Sequence, residues 1–79
     1  MNKTRLKKLE ILVSNLEDMR DELQEIQQEE QDCYDNAPEN LQYSERYEQM
    51  ATNAEGLESA CDELESVISE IRDIIEENY

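Results

Sequence analysis

Pro38 is the only proline of the chain, and it separates two long stretches near the midpoint. Gly56 is the only glycine, so the chain has little of the material from which tight turns and β-hairpins are built. Residues that favour helix, such as Glu, Gln, Leu and Ile, make up much of the remainder. The sequence therefore predicts a single all-α domain over residues 1–79, with one long helix on each side of Pro38.

The stretch before Pro38 has the apolar spacing of an amphipathic helix. Its large apolar residues step by three and four positions, as the core positions of a heptad repeat do. They are Leu9, Leu12, Leu16, Met19, Leu23 and Ile26, with Leu6 and Val13 on one flank. We expect helix 1 over about residues 3–32, with Asn2 or Thr4 as its N-cap.

The segment around Pro38 has the pattern of a chain reversal. Asn36, Pro38 and Glu39 resemble an N-cap followed by a proline in the first turn and a glutamate at the third helical position. Ser44 offers a second N-cap. We expect a turn with a short helical segment over residues 33–43, followed by helix 2 over about residues 44–77.

The stretch after Pro38 carries a second apolar stripe, which widens towards the C-terminus. The predicted stripe for the core or for dimer formation comprises Leu9, Leu16, Leu23, Leu57, Leu64, Ile68, Ile71 and Ile75. If the chain folds back near Pro38, the basic residues 3–8 lie beside the acidic residues 70–77. Parallel packing would instead place acid against acid. We therefore expect an antiparallel, coiled-coil-like two-helix hairpin.

The apolar stripe of helix 2 is wider than the seam between two helices requires. A lone hairpin would leave part of this stripe in contact with water. We expect a homodimer that forms a four-helix bundle, and docking on another protein is the alternative that would also cover the stripe.

The net charge of −15, from 22 acids and seven bases, restricts the class of partner. Direct binding to nucleic acid or to an anionic membrane is disfavoured, because no basic surface is available to release counterions from phosphates. A protein with a basic surface is the natural electrostatic partner. The longest apolar run, Ile11 to Val13, is too short for a membrane span or a signal peptide, so we expect a cytoplasmic protein.

Catalytic chemistry has little support in the sequence. There is no histidine, which removes Ser–His and Cys–His pairs as well as the Glu-x-x-His motif of di-iron bundles. Nearly all acids fall outside the apolar stripe, whereas catalytic carboxylates need buried and distinct environments. We expect a protein that is not an enzyme and that holds no metal and no cofactor.

Two groups of polar residues are candidate partner-binding sites. The acidic faces comprise Glu17, Asp18, Asp21, Glu22, Glu25 and Glu29 on helix 1, with Glu55, Glu58, Asp62, Glu63 and Glu65 on helix 2. They are either a solvated helix surface or a row of carboxylates that imitates nucleic-acid phosphates. The turn end comprises Tyr34, Tyr43, Arg46 and Tyr47. These residues either close the hairpin by packing or anchor a partner, since Tyr and Arg are favoured at interfaces.

The segment over residues 35–50, DNAPENLQYSERYEQM, and its continuation over residues 56–75, GLESACDELESVISEIRDII, resemble the turn and the acidic repeats of small acidic helical proteins of Gram-positive bacteria and their phages or mobile elements. The residues that match the turn are Asp35, Asn36, Pro38, Glu39, Leu41, Gln42, Ser44, Glu45 and Arg46, whereas Ala37 and the region of Cys61 depart mildly from the pattern. The resemblance covers about half of the chain and implies a helical hairpin in a phage-like setting, within the host cytoplasm. Small acidic phage proteins often counter host defences by occupying nucleic-acid sites, so it also favours an anti-defence role.

Charge and architecture together predict a non-enzymatic nucleic-acid mimic (a DNA mimic or an RNA mimic), which binds the basic surface of a nucleic-acid-handling protein and inhibits it. The resemblance implies that this partner is a host protein. The alternative is a structural or regulatory helical module that forms homodimers, or docks on a partner helix, through its apolar stripe.

Overall fold

The computed structural model describes all 79 residues and consists of two long antiparallel helices joined by a short connection. Helix α1 spans Lys3–Asp35, a short 3-10 helix spans Glu39–Leu41, and helix α2 spans Glu45–Glu77. The chain contains no strand. The two long helices pack against each other along a rod of 59 × 15 × 13 Å. The predicted all-α helical hairpin is confirmed.

The ends of the helices are fixed by local hydrogen bonds. Asn2 caps α1 by accepting from the backbone N–H of Arg5 at 2.8 Å, and Ser44 caps α2 by accepting from that of Tyr47 at 3.2 Å. The prediction that Asn36 begins the short helix is wrong. Asn36 instead ends α1, because its side-chain amide donates to the carbonyl oxygen of Asp32 at 2.8 Å. Helix α1 therefore runs to residue 35 rather than 32.

The seam between the helices follows a seven-residue repeat, whose core positions we label a and d. Position a of α1 is occupied by Leu6, Val13, Arg20, Gln27 and Tyr34, and position d by Leu9, Leu16, Leu23 and Glu30. In α2 position a is Tyr47, Ala54, Cys61, Ile68 and Ile75, and position d is Met50, Leu57, Leu64 and Ile71. The tightest packing lies towards the termini, where Ile68 is fully buried in a cluster with Leu6, Val13 and Ile75.

The predicted stripe of α1 is corrected by this arrangement. Leu12, Met19 and Ile26 were expected in the core, but all three are about half exposed. Leu6 and Val13, expected on the flank, are buried instead. The reason is that α1 packs on α2 through its residues at positions a and d. Leu12, Met19 and Ile26 lie at position g, which is beside this contact.

The helices reverse at a slightly later point than predicted. The rings of Tyr34 and Tyr47 stack across the seam, which places the reversal between residues 40 and 41, within the 3-10 helix, rather than at Pro38. The two termini lie together, and the N-terminal ammonium group donates to Oδ1 of Asn78 at 3.0 Å. None of the basic side chains of residues 3–8 forms an ion pair, so the two ends are adjacent without direct charge pairing.

Candidate interaction surfaces

One flank of the seam is closed by ion pairs. The guanidinium group of Arg20 donates to Oε2 of Glu65 at 2.6 Å and to Oδ1 of Asp21 at 3.2 Å, while Arg72 pairs with Glu17. The hydrogen bond to Glu65 raises the pKa of Arg20. Glu17, Glu65 and Arg72 all occupy position e of the repeat, so this flank is polar.

The predicted acidic residues lie on this flank and on the outer surfaces of the rod. Glu17, Asp21 and Glu65 take part in the ion pairs. The other eight are exposed and free of ion pairs, namely Asp18, Glu22, Glu25, Glu29, Glu55, Glu58, Asp62 and Glu63. They occupy positions b, c, e and f, so they surround most of the rod and form no single compact site.

The predicted turn-end cluster divides into two pairs of residues. Tyr34 and Tyr47 stack with their ring centroids 4.4 Å apart, so they close the hairpin by packing on each other. Hydrogen bonding with Tyr34, together with burial, raises the pKa of Tyr47. Tyr43 and Arg46 face solvent, and Tyr43 is 96% exposed. The aliphatic and aromatic surface around them forms a shallow pocket lined by Ala37, Leu41, Ser44, Arg46, Tyr47 and Met50.

The predicted core stripe lies entirely on the seam. All eight residues occupy position a or d and are buried or half-buried, namely Leu9, Leu16, Leu23, Leu57, Leu64, Ile68, Ile71 and Ile75. Because each helix covers the stripe of the other, these side chains are not available as a surface for a second protein.

A different apolar surface was missed by the sequence reasoning. It consists of residues at position g, between 42% and 58% exposed, and we call it the second apolar face: Leu12, Met19 and Ile26 of α1, with Val67 and Ile74 of α2. In an antiparallel helix pair, the e positions of both helices border one side of the seam and the g positions border the other. The ion pair between Glu17 and Arg72, both at position e, confirms this geometry. The sequence does contain a signal for the second apolar face, because its apolar residues recur every seven positions in each helix.

No group of three or more acidic or cysteine side chains is arranged to hold a metal ion. Cys61 is buried in the seam and Cys33 is exposed near the turn. Neither long helix contains a segment apolar enough to cross a membrane. No protein-family model, no curated protein and no solved structure matches the chain.

Proposed function

We propose that this chain is a non-enzymatic acidic interaction protein, which binds the basic nucleic-acid-binding surface of a protein partner and blocks it as a nucleic-acid mimic. The proposal rests on the distribution of its carboxylates. Only three of the 22 acids form ion pairs, and the rest project from a rigid helical rod. We further propose that the protein is encoded by a phage and acts as an anti-defence factor. It would act in the cytoplasm of the bacterial host.

The shape and charge of the hairpin support this choice of partner. A net charge of −15 along 59 Å corresponds to roughly one negative charge per 4 Å of rod. That spacing is close to the ~3.4 Å between phosphates along one DNA strand. Because the helices hold the carboxylates in place, a basic groove could engage many of them without a large ordering cost. A charge this far above the ~2–8 that keeps a small domain soluble also favours a functional role.

The second apolar face supports a second candidate function, a helical module that associates through apolar contacts. Five large side chains about half exposed along one side of a small protein are more than scattered surface residues. Homodimer formation into a four-helix bundle, and docking on a partner helix, would both bury this face. Apolar association persists at high salt, whereas binding through carboxylates weakens, so ionic strength separates the two functions.

The test is a binding series against purified bacterial proteins that bind duplex DNA, with affinity measured at increasing salt. We expect affinity to fall at least roughly tenfold between 50 and 200 mM salt, and duplex DNA to compete for the same surface. Absence of binding at low salt across the series would contradict the proposal, and so would binding that duplex DNA leaves unchanged.

A pair of variants with matched charge locates the binding surface. The first neutralises four predicted acids of α2, through Glu55→Gln, Glu58→Gln, Asp62→Asn and Glu63→Gln. The control removes four acids near the C-terminus, through Glu70→Gln, Asp73→Asn, Glu76→Gln and Glu77→Gln. We expect the first variant to lose more affinity than the control, because the control acids lie at the end of the rod where the basic residues 3–8 already lower the negative charge. Equal losses would show that net charge alone matters.

A further inference from the structure

The ten g positions of the two helices contain no acid, although Glu30 at position d reaches this side near the turn, where its Oε1 accepts from the side-chain amide of Asn53 at 3.4 Å. In α1 they are Arg5, Leu12, Met19, Ile26 and Cys33, and in α2 they are Arg46, Asn53, Ala60, Val67 and Ile74. All 22 acids of the chain occupy other positions. A protein this acidic would gain solubility from carboxylates here as on its other surfaces. Their exclusion from one face indicates that this face is buried in a complex.

We propose that the second apolar face is the surface through which two copies of this chain associate, and that the two hairpins lie antiparallel with their turns at opposite ends. In this arrangement the g positions of the two copies form the centre of a four-helix bundle. The seam of each hairpin remains intact, because the residues at positions a and d keep their partners within the chain.

The sequence pattern favours a second copy as the occupant of this face. Helices with apolar residues at a and d alone suit a two-helix seam, whereas apolar residues at a, d and g are typical of helices in a four-helix bundle. Both α1 and α2 have the wider pattern. Apart from Ile26, the large residues of this face lie in the half of the rod nearer the termini, since Val67 and Ile74 lie opposite residues 14 and 7 of α1.

The antiparallel orientation follows from the uneven distribution of charge along the rod. The half nearer the turn, residues 20–60, carries twelve acids and two arginines, a net charge of −10. The half nearer the termini carries the remaining −5, because it holds four basic residues within 3–8. If the two copies lay parallel, with their turns together, one end of the dimer would carry a net charge of −20. In the antiparallel arrangement each half of the dimer carries a net charge of −15, so the repulsion between like charges is smaller.

The charge density of the dimer would also resemble that of duplex DNA more closely than the charge density of one chain does. The relevance of this comparison rests on the proposed function. Two chains carry −30 along the same 59 Å, or roughly one charge per 2 Å of rod. Duplex DNA carries one per ~1.7 Å of its axis. All of these carboxylates except that of Glu30 remain on the outside of the bundle, since no acid occupies a g position. Two copies are therefore needed to present a duplex-like charge density.

The test of the interface is sedimentation equilibrium of the full chain, with no partner present. We expect a mass of about twice the 9.3 kDa of one chain for the wild type. Met19→Glu, which places a carboxylate on the second apolar face, should give a helical monomer. The matched control is Ile11→Glu on the outer surface, where Ile11 is 63% exposed, and this variant should dimerise like the wild type. A wild-type monomer at high concentration would overturn the proposal, and so would Met19→Glu dimerising as strongly as Ile11→Glu.

Cross-linking tests the orientation. Residue 19 is the midpoint of α1, which spans Lys3–Asp35. In the antiparallel arrangement α1 packs on α1 of the other copy, so residue 19 meets its counterpart. A Met19→Cys variant in a Cys33→Ala background should therefore be captured as a dimer by a bismaleimide that spans about 10 Å, the usual distance between packed helices. Capture no better than that of Ile11→Cys in the same background would overturn the orientation. Because neither experiment includes a basic protein, a dimer that fails to bind one would count against the proposed function alone.

Discussion

Arg20 is the single charged residue on the better-packed part of the seam, and it illustrates how this hairpin tolerates a charge at a core position. Its side chain reaches the polar flank, where Glu65 and Asp21 accept its hydrogen bonds. A polar residue at a core position costs stability but fixes which residues face each other. A shift by one heptad would put either Arg72 or Glu58 in the place of Glu65, so the pair disfavours the first of these alignments and tolerates the second.

Gly56 is a helical residue whose replacement tests how much the local backbone limits stability. A Cβ atom added at this position would meet nothing within 4 Å, and the backbone has no left-handed conformation. Gly56→Ala should therefore stabilise the protein by about 1 kcal/mol, through helix propensity alone. Thermal unfolding followed by circular dichroism should show a midpoint raised by several degrees. A lowered midpoint would indicate that another chain approaches Gly56 closely.

Tyr47 makes the stability of the hairpin sensitive to alkaline pH. Its pKa is raised in the folded chain, first by hydrogen bonding with Tyr34 and then by burial, so folding favours the neutral phenol. This contribution is fully present below the ordinary value of 10.0 and is lost as the pH rises through the higher folded value. Urea unfolding between pH 8 and pH 11 should therefore show a steeper alkaline loss of stability for the wild type than for Tyr47→Phe.

The control for this effect is Tyr43→Phe, because Tyr43 is almost fully exposed and takes no part in the stack. This variant keeps Tyr47 and should follow the wild-type curve. If Tyr47→Phe and Tyr43→Phe lose stability equally between pH 10 and pH 11, the stack does not couple proton binding to folding.

At the scale of the helices, most of the packing energy resides in the cluster near the termini. Ile68 is fully buried there, in contact with residues of both helices. Ile68→Ala should cost about 2–5 kcal/mol, which is a large part of the stability available to a chain of this size. We expect the thermal midpoint to fall by at least ~10 °C. Ile11→Ala removes the same atoms from an exposed position and should change the thermal midpoint little. If Ile11→Ala and Ile68→Ala lower the midpoint equally, the assigned seam is contradicted.

The helical hairpin could be predicted because its signals are local. A single proline near the midpoint, caps at Asn2 and Ser44, and apolar residues at steps of three and four each depend on a few neighbouring residues. The role of Asn36 was assigned wrongly because asparagine can serve at either end of a helix. The side-chain amide of Asn36 donates to the carbonyl oxygen of Asp32, which ends α1. Whether Asn36 ends one helix or begins the next depends on the backbone conformation after Asp35.

The side of α1 that packs on α2 could not be predicted, because two stripes compete for the same helix. One contains Leu12, Met19 and Ile26, and by composition it is the more apolar of the two. The other stripe contains Arg20 and Gln27, and this is the one that packs on α2. Its residues find partners on α2, and the sequence of α1 alone does not show those partners. Those partners include Glu65 for Arg20 and Tyr47 for Tyr34. The first stripe is then left exposed, which is why the second apolar face was missed.

At the scale of the whole molecule, apolar and acidic residues are separated around the rod rather than along it. The seam holds the apolar residues at a and d, one flank holds ion pairs, and the other flank holds the second apolar face. The remaining circumference carries exposed carboxylates. Such an arrangement suits a protein that associates through one side and presents negative charge on all others.

The central claim is that this acidic rod takes the place of nucleic acid on a basic protein surface, and displacement of DNA tests it most directly. A fluorescent duplex of about 17 base pairs matches the 59 Å rod at ~3.4 Å per base pair. With the duplex bound to a purified basic DNA-binding protein, addition of this chain should release it and lower its anisotropy. Ile11→Glu should act like the wild type, and Met19→Glu should require at least about ten times more protein. Duplex that stays bound in a large excess of the wild-type chain, at low salt, would contradict the claim.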